Sequence, residues 1–422
     1  MLYEKKSVFL RPMNAKNVHI IYIILLLTGL FAGACHDEEA TPRLPGNVGD
    51  TLERTIIFYM AAENSLNSYM TADSVEIAWG TDSLPEHTRA VLFLDDIKSS
   101  RLCVGMRGLP LQTVKTYEEN ICSTDSQSMV NIFRDILRLY PARSYGLVMC
   151  SHASGWLFDD PVTKERDTRR RSFGIDNGQR TTANQGQKMN IPTLAGVLEG
   201  CPHFDYVMFD ACFMQCIEVA YELRHTADYI IASPAEIPGT GAPFTKLMRL
   251  LAATPTDAAT AAAIAELYAS EALSSTYRGA ELSVIRTDRL EQLARASAPI
   301  MQQLLANAKE LNTYGVQHYY PDLWSTYYPA FYDMKHLLYT HLDSATYAQW
   351  DKAFEEAVPT QALTPSWYSA YNWGSQQYLI DQVHTGGVSI YLPRSTHKAL
   401  GWLDDYHRLQ WYKDLGLEVT NW

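Results

Sequence analysis

A series of short apolar runs, each followed by a stretch with helical spacing, predicts an α/β chain whose mainly parallel sheet is covered by helices. Two observations carry this. The runs Thr55–Met60, Tyr145–Cys150 and Phe204–Phe209 are almost continuously apolar, the pattern of strands buried on both faces. Amphipathic stretches lie between them, as the crossovers of parallel strands require.

The first 34 residues read as a secretory signal: Lys5, Lys6, Arg11 and Lys16 precede the apolar stretch Ile20 to Phe31, which ends in Ala32-Gly33-Ala34-Cys35. About 12 apolar residues fall short of the roughly 20 that cross a bilayer. The Ala-Gly-Ala-Cys ending resembles a bacterial lipobox, which implies cleavage before Cys35 and a lipid on its sulfur. The acidic run His36-Asp37-Glu38-Glu39 resembles the surface-export signal of some Gram-negative lipoproteins, although a solvated tether has the same composition. Residues 35–53 are expected to be the lipid-anchored linker of an outer-membrane protein, facing either the periplasm or the surface.

The folded body opens with the strand Thr55–Met60 and a helix from Ser65 to Ile77. A second strand covers Arg89–Leu94. Ser126 is expected to cap a helix with Val130, Phe133, Ile136, Leu137 and Tyr140 on its apolar stripe, and the strand Tyr145–Cys150 follows. After a long polar insertion come the strand Phe204–Phe209, a helix Met214–Arg224 and a strand Asp228–Ala232. An alanine-rich helix, Asp257–Leu273, leads to a last core strand, Ala280–Arg286. The core is therefore assigned to 54–287 and a helical C-terminal region to 288–422, with a returning strand at 387–393. Tyr319, Tyr320, Trp324, Tyr327, Tyr328, Phe331 and Tyr332 crowd together there, either as core or as a groove for an extended ligand.

A net charge of −12 argues against a nucleic-acid partner and favours peptides or proteins. Beyond Cys35 the cysteines are Cys103, Cys122, Cys150, Cys201, Cys212 and Cys216, with no C-x-x-C spacing for zinc. Cys103 and Cys122 are placed to flank a hairpin and pair, and Cys150 reads as a buried small hydrophobe. The H-E-x-x-H, G-x-S-x-G, P-loop and G-x-G-x-x-G signatures are absent.

The chemistry concentrates at two strand ends. Ser151-His152-Ala153-Ser154-Gly155-Trp156 follows one strand, and Asp210-Ala211-Cys212 closes another. Parallel strands bring their carboxyl ends to one rim, where open α/β sheets place their sites. An imidazole and a thiol on that rim make a base and a nucleophile. A helix beginning at Met214 would favour the thiolate further through its amino-terminal amides. The backbone amides of Cys212 and Ala153 are the candidate donors to an oxyanion.

These segments, with Ile57-Phe58-Tyr59-Met60-Ala61-Ala62-Glu63-Asn64-Ser65-Leu66 and the run from Phe209 to Ser233, resemble the clostripain-like cysteine peptidases, relatives of the caspases (peptidase family C11). The resemblance reaches from Thr55 to Pro393. It implies a caspase-like α/β/α sandwich, His152 as general base or acid, and Cys212 as the nucleophile of an endopeptidase that needs no cofactor. Some relatives use calcium, but no calcium loop is legible here.

The chain departs from the family at two places. The residue after the histidine is Ala153 rather than glycine. In Pro238-Gly239-Thr240-Gly241, Thr240 stands where relatives that cut after Arg or Lys tend to carry aspartate. Asp210 is then the remaining acid for a basic side chain, unless it only orients the backbone before the helix. Lys164, Arg166, Arg169, Arg170 and Arg171 lie where the family often carries a processing site, and equally suit a solvated loop. A binding lipoprotein on a peptidase scaffold is the alternative function, motivated by Ala153, Thr240 and the aromatic C-terminal region.

Overall fold

The computed structural model describes residues 51–422 except 118–119, 159–171, 177, 185, 276–278, 308–310, 320–330 and 371–377. Cys35 and the signal segment, the basic loop Lys164–Arg171, and Tyr320, Trp324, Tyr327 and Tyr328 lie outside the described residues. Among those described, no helix is long and apolar enough to cross a membrane.

A nine-stranded sheet runs through the molecule in the order β12-β10-β9-β8-β5-β1-β2-β3-β4. Its centre is β9 (Ala227–Ala232), β8 (Phe204–Asp210), β5 (Ala142–Cys150), β1 (Leu52–Ala61) and β2 (Thr88–Asp95), all parallel. The mainly parallel sheet expected from the unbroken apolar runs is therefore present. Antiparallel strands flank it: β3 (Ser100–Met106) and β4 (Leu109–Tyr117) beyond β2, and β10 (Leu282–Arg286) and β12 (Thr360–Ala362) beyond β9. Strands β3, β4 and β12 went unread: β4 and β12 are edge strands of mixed polarity, β12 only three residues long, and β3 opens with Ser100 and Arg101.

Side chains alternate across each strand, so β1 feeds two cores. Ile57 and Tyr59 join one cluster, and Ile56, Phe58 and Met60 the other. The second cluster is covered by α1 (Asn67–Gly80), through Met70 and Ile77, and by α5 (Phe244–Leu251) and α6 (Ala258–Ser274). The first is covered by α2 (Ser126–Leu139), α3 (Ile191–Glu199), α4 (Ile217–Glu222) and α7 (Leu290–Asn307). Helix α2 is capped by Asp125, whose carboxylate accepts from the Ser128 amide at 2.9 Å, one residue before the expected Ser126. The result is an α/β/α sandwich.

The C-terminal region packs into these same layers. Its helices α8 (Met334–His341) and α9 (Ser344–Ala357) join the first core. There, β11 (Phe331–Asp333) pairs with β15 (Ser389–Tyr391), the returning strand, and Tyr319, Phe331 and Tyr332 are buried. These three aromatics build core rather than a groove.

Two expectations are corrected. The expected helix Met214–Arg224 begins only at Ile217, because residues 212–216 are bent into a loop with Phe213 at φ +61°. Cys212 therefore does not sit at a helix amino terminus. Cys103 and Cys122 are free thiols: Cys103 lies on β3 opposite Thr113, while Cys122 lies beyond the end of the β3–β4 hairpin and approaches Thr124 Oγ1 at 3.3 Å.

Candidate active site

The register of β5 on β8 pairs Cys150 with Asp210. Counting two residues past each partner gives His152 and Cys212, so the sheet itself brings imidazole and thiol to one rim. Both line a cavity of about 350 Å³, together with Ala153, Asp210, Ser151 and Phe213.

The thiol is held by a loop with little freedom. The Phe213 amide donates to Ala235 O at 3.0 Å and the Gln215 amide to Ser233 O at 2.9 Å, tying the loop to the chain beyond β9. Gln215 Nε2 donates to Ser283 O at 2.7 Å, and the Ser389 amide returns to Gln215 O at 3.0 Å. A backbone bent to positive φ at a bulky residue persists only when its surroundings over-determine it. Two long-range strands, β10 and β15, supply that restraint here. The Ile237 amide donates to Cys212 Sγ at 3.5 Å. Such a donor favours the anionic sulfur.

On the other side, Gly174 N donates to His152 O at 2.8 Å and Ser154 N to Ser172 O at 3.1 Å. Ser65 Oγ, from the turn between β1 and α1, lies 2.9 Å from His152 Nε2. Gly155, at φ +66°, must be glycine: a Cβ would stand 3.0 Å from Phe331 Cζ and 3.1 Å from Phe213 O. Gly155→Ala is expected to cost about 1–3 kcal/mol from the left-handed backbone alone. A denaturant titration showing a lowered midpoint at unchanged slope checks this, and an unaltered midpoint would show that the turn relaxes freely.

Among the described residues, the charged groups on the cavity wall are acidic: Asp73, Asp210 and Glu236 line it, and no Lys or Arg does. Asp210 Oδ1 accepts from Tyr268 Oη at 2.8 Å and Oδ2 from the Ala242 amide at 3.2 Å. Asp73 projects from α1 toward the same point. A Cβ on Gly241 would be 2.5 Å from Asp210 Oδ2 and 3.3 Å from Asp73 Oδ2, so the absent side chain leaves room where the two carboxylates converge. Burial raises the pKa of both. Asp73 rises further, pushed also by the Asp210 charge, whereas Tyr268 and the Ala242 amide restrain Asp210.

Thr240 is not part of this wall. A turn closed by Gly241 N to Pro238 O at 3.0 Å puts it at an exposed tip. It faces a smaller neighbouring cavity with Glu76 and Glu271, while Gly239 and Gly241 face the main one. The residue at 240 therefore does not set the charge of the cavity. Asp73 was missed, although an acid at the i+3 position of the buried stripe Met70, Asp73, Ile77 was its signal.

Two groups of side chains have metal-ligand character among the described residues. Glu63, Asp95 and Asp176 are buried together, but Arg180 reaches Asp95 at 2.9 Å and Glu63 at 3.4 Å, and Asp176 accepts from Ser123 Oγ at 2.7 Å. The single guanidinium offsets part of the charge of the three carboxyl groups, and Glu63 Oε2 and Asp95 Oδ2 are buried without a hydrogen-bond partner. In the other group, His384 Nδ1 contacts Asp381 at 2.7 Å, while His336 Nδ1 accepts from the Gln317 amide at 3.2 Å. That bond leaves the neutral ring's proton on Nε2 and disfavours ligation there.

Residues 58–421 match the family model described as Peptidase_C11, the clostripain family. A comparison with curated proteins found no match. Among solved structures, the chain is similar to a secreted C11 cysteine protease from Bacteroides thetaiotaomicron, in complex with an irreversible peptide inhibitor, at 29% identity and a TM-score of 0.72. That similarity covers 86% of this chain and 98% of the other. An inactive zymogen C11 protease from Parabacteroides distasonis is similar at 26% identity and a TM-score of 0.70, over 87% of this chain and 99% of that one.

Proposed function

The chain belongs to the clostripain family and is a cysteine endopeptidase with a caspase-like fold; from that premise, we propose that His152 and Cys212 are its catalytic dyad and that Asp210 and Asp73 select a basic P1 side chain. The observation that carries this reading is the cavity on the sheet rim, where thiol and imidazole stand above a pair of buried, converging carboxylates. Among the described residues no Lys or Arg lines the cavity, and the charged forms of two such groups are costly unless a cation arrives with the ligand.

In this reading, Cys212 Sγ attacks the scissile carbonyl carbon and the oxyanion is received by the amides of Cys212 and Ala153. The C–N bond breaks as imidazolium gives its proton to the leaving nitrogen, and a thioester remains on Cys212. Water, deprotonated by the neutral ring, then releases the acid and regenerates the thiol. All atoms come from peptide and water, and no step requires a metal.

Export and lipid attachment at Cys35 belong to the same proposal, supported by the leader's composition and by the secreted relative. So does maturation by cleavage among Lys164, Arg166, Arg169, Arg170 and Arg171, a loop that a basic P1 preference would let the enzyme cut itself. Hydrolysis of a peptide library scanned at P1 is expected to show Lys and Arg far above neutral residues. A uniform or acidic preference would sink the pocket assignment. N-terminal sequencing of the mature chain would locate both processing events.

A further inference from the structure

The dyad proposed above leaves open what fixes the proton on the imidazole. The geometry points to Ser65 as the positioning residue of His152: its hydroxyl accepts from Nε2–H, holding the tautomer in which Nδ1 exchanges protons with thiol, leaving amine and water. This inference rests on the dyad reading.

Its first support is the 2.9 Å separation of Ser65 Oγ from His152 Nε2. The second is that Ser65, although solvent-exposed, is not free to wander. Its amide donates to Asn184 Oδ1 at 3.0 Å, and the Leu66 amide donates to Asn64 Oδ1 at 2.9 Å. Asn64 is fully buried, and its Nδ2 donates to Ala61 O at 2.8 Å and to Ile175 O at 3.0 Å. Ser151, the residue before His152, sends its hydroxyl to the same Ala61 carbonyl at 2.8 Å. The turn bearing the serine and the strand end bearing the histidine therefore share one anchor.

From the far side, buried Glu63 accepts from the amides of Gln179 and Arg180, and Arg180 reaches Asp96 O at 2.7 Å and Ser100 Oγ at 2.8 Å. The rim segment 178–184 thus clasps the turn and, through Asn184, touches Ser65 itself. Such outer restraint is what holds a reactive group to the tolerance that proton transfer needs.

The choice of a hydroxyl has a consequence. The imidazolium and the neutral ring both keep Nε2–H, so one acceptor serves every step, and Nδ1 alone changes state. A carboxylate would do the same while stabilising the imidazolium, and would move the ring's titration upward. A neutral hydroxyl holds the tautomer without that shift. Among the described residues, the other titratable groups on the cavity wall are Asp73, Asp210, Glu236, Cys212, Tyr69 and Tyr368, all of which favour the protonated ring when ionised.

The test compares Ser65→Ala, Ser65→Thr and Ser65→Asp in the full chain, with Cys212→Ala alongside. Ser65→Ala is expected to lower kcat roughly 10- to 100-fold with KM within about twofold, a part of the usual contribution of general acid–base catalysis. Ser65→Thr should restore most of the rate, and Ser65→Asp should move the titration limb of kcat/KM upward. Wild-type kcat and pH profile in Ser65→Ala, with Cys212→Ala dead, would overturn this inference alone. Undiminished hydrolysis by Cys212→Ala would overturn the dyad and the inference with it.

Discussion

Cys212→Ala is expected to lower peptide hydrolysis by about 10⁴-fold or more, the scale on which losing a nucleophile removes covalent catalysis and leaves only binding and oxyanion stabilisation. The fold should survive, because the substitution removes one sulfur from the cavity wall while the Gln215 and Phe213 anchors of the loop remain. His152→Ala should fall into the same range without additivity, since the two groups act as one unit. The competing thiols are poor substitutes. Burial pushes Cys150 and Cys216 well above the ordinary thiol range, Cys201 to about 11, and Cys122 upward as well. A peptide electrophile should therefore add one mass increment, located on Cys212 by digestion. Stoichiometric labelling elsewhere, or near-wild-type turnover in the alanine variant, would refute the assignment.

Asp210→Asn and Asp73→Asn should each cut kcat/KM for Lys and Arg P1 substrates by roughly 30- to 5,000-fold, from the 2–5 kcal/mol typical of removing one partner of a desolvated charge pair. Neutral P1 substrates should change little. The pH dependence follows from the raised pKa values of the pair. Near pH 6 the pair holds a proton that an incoming ammonium or guanidinium must displace, so KM for basic substrates should fall as pH rises from about 6, where Asp210 titrates, toward about 9 for Asp73. Stability runs the other way. A carboxyl whose folded pKa is raised binds its proton more tightly folded than unfolded, so its contribution is full below the ordinary value near 3.8 and is lost as pH rises to about 6 for Asp210 and about 9 for Asp73. Asp73→Asn should accordingly raise the melting temperature at pH 8 while weakening basic-substrate selection. A melting temperature that drops, with selectivity untouched, would mean that Asp73 has a purely structural role.

Much of the geometry of the candidate site is legible in the sequence. Uninterrupted apolar runs force strands buried on both faces, and parallel pairing then takes two distant strand ends to one rim, which is why His152 and Cys212 meet. The residues that shape the cavity wall were less readable. Thr240 sits between two cavity-facing glycines in the chain, yet a tight turn points it outward, while Asp73 reaches inward from a helix more than 160 residues earlier. The expected helix start at Met214 failed for a related reason. Residues 212–216 bond to strands β10 and β15 and to the segment after β9, and these long-range bonds override the local helical pattern.

By itself, then, the amino-acid order determined the parallel core, the rim on which the chemistry lies and the pair of reactive groups, because alternation and strand burial are local consequences of side-chain polarity. Tertiary structure alone decided what surrounds that pair: the Ile237 amide on the sulfur, the serine on the imidazole and the second carboxylate in the cavity. Each comes from a segment distant in the chain, and its direction is set by packing and hydrogen bonds rather than by periodicity.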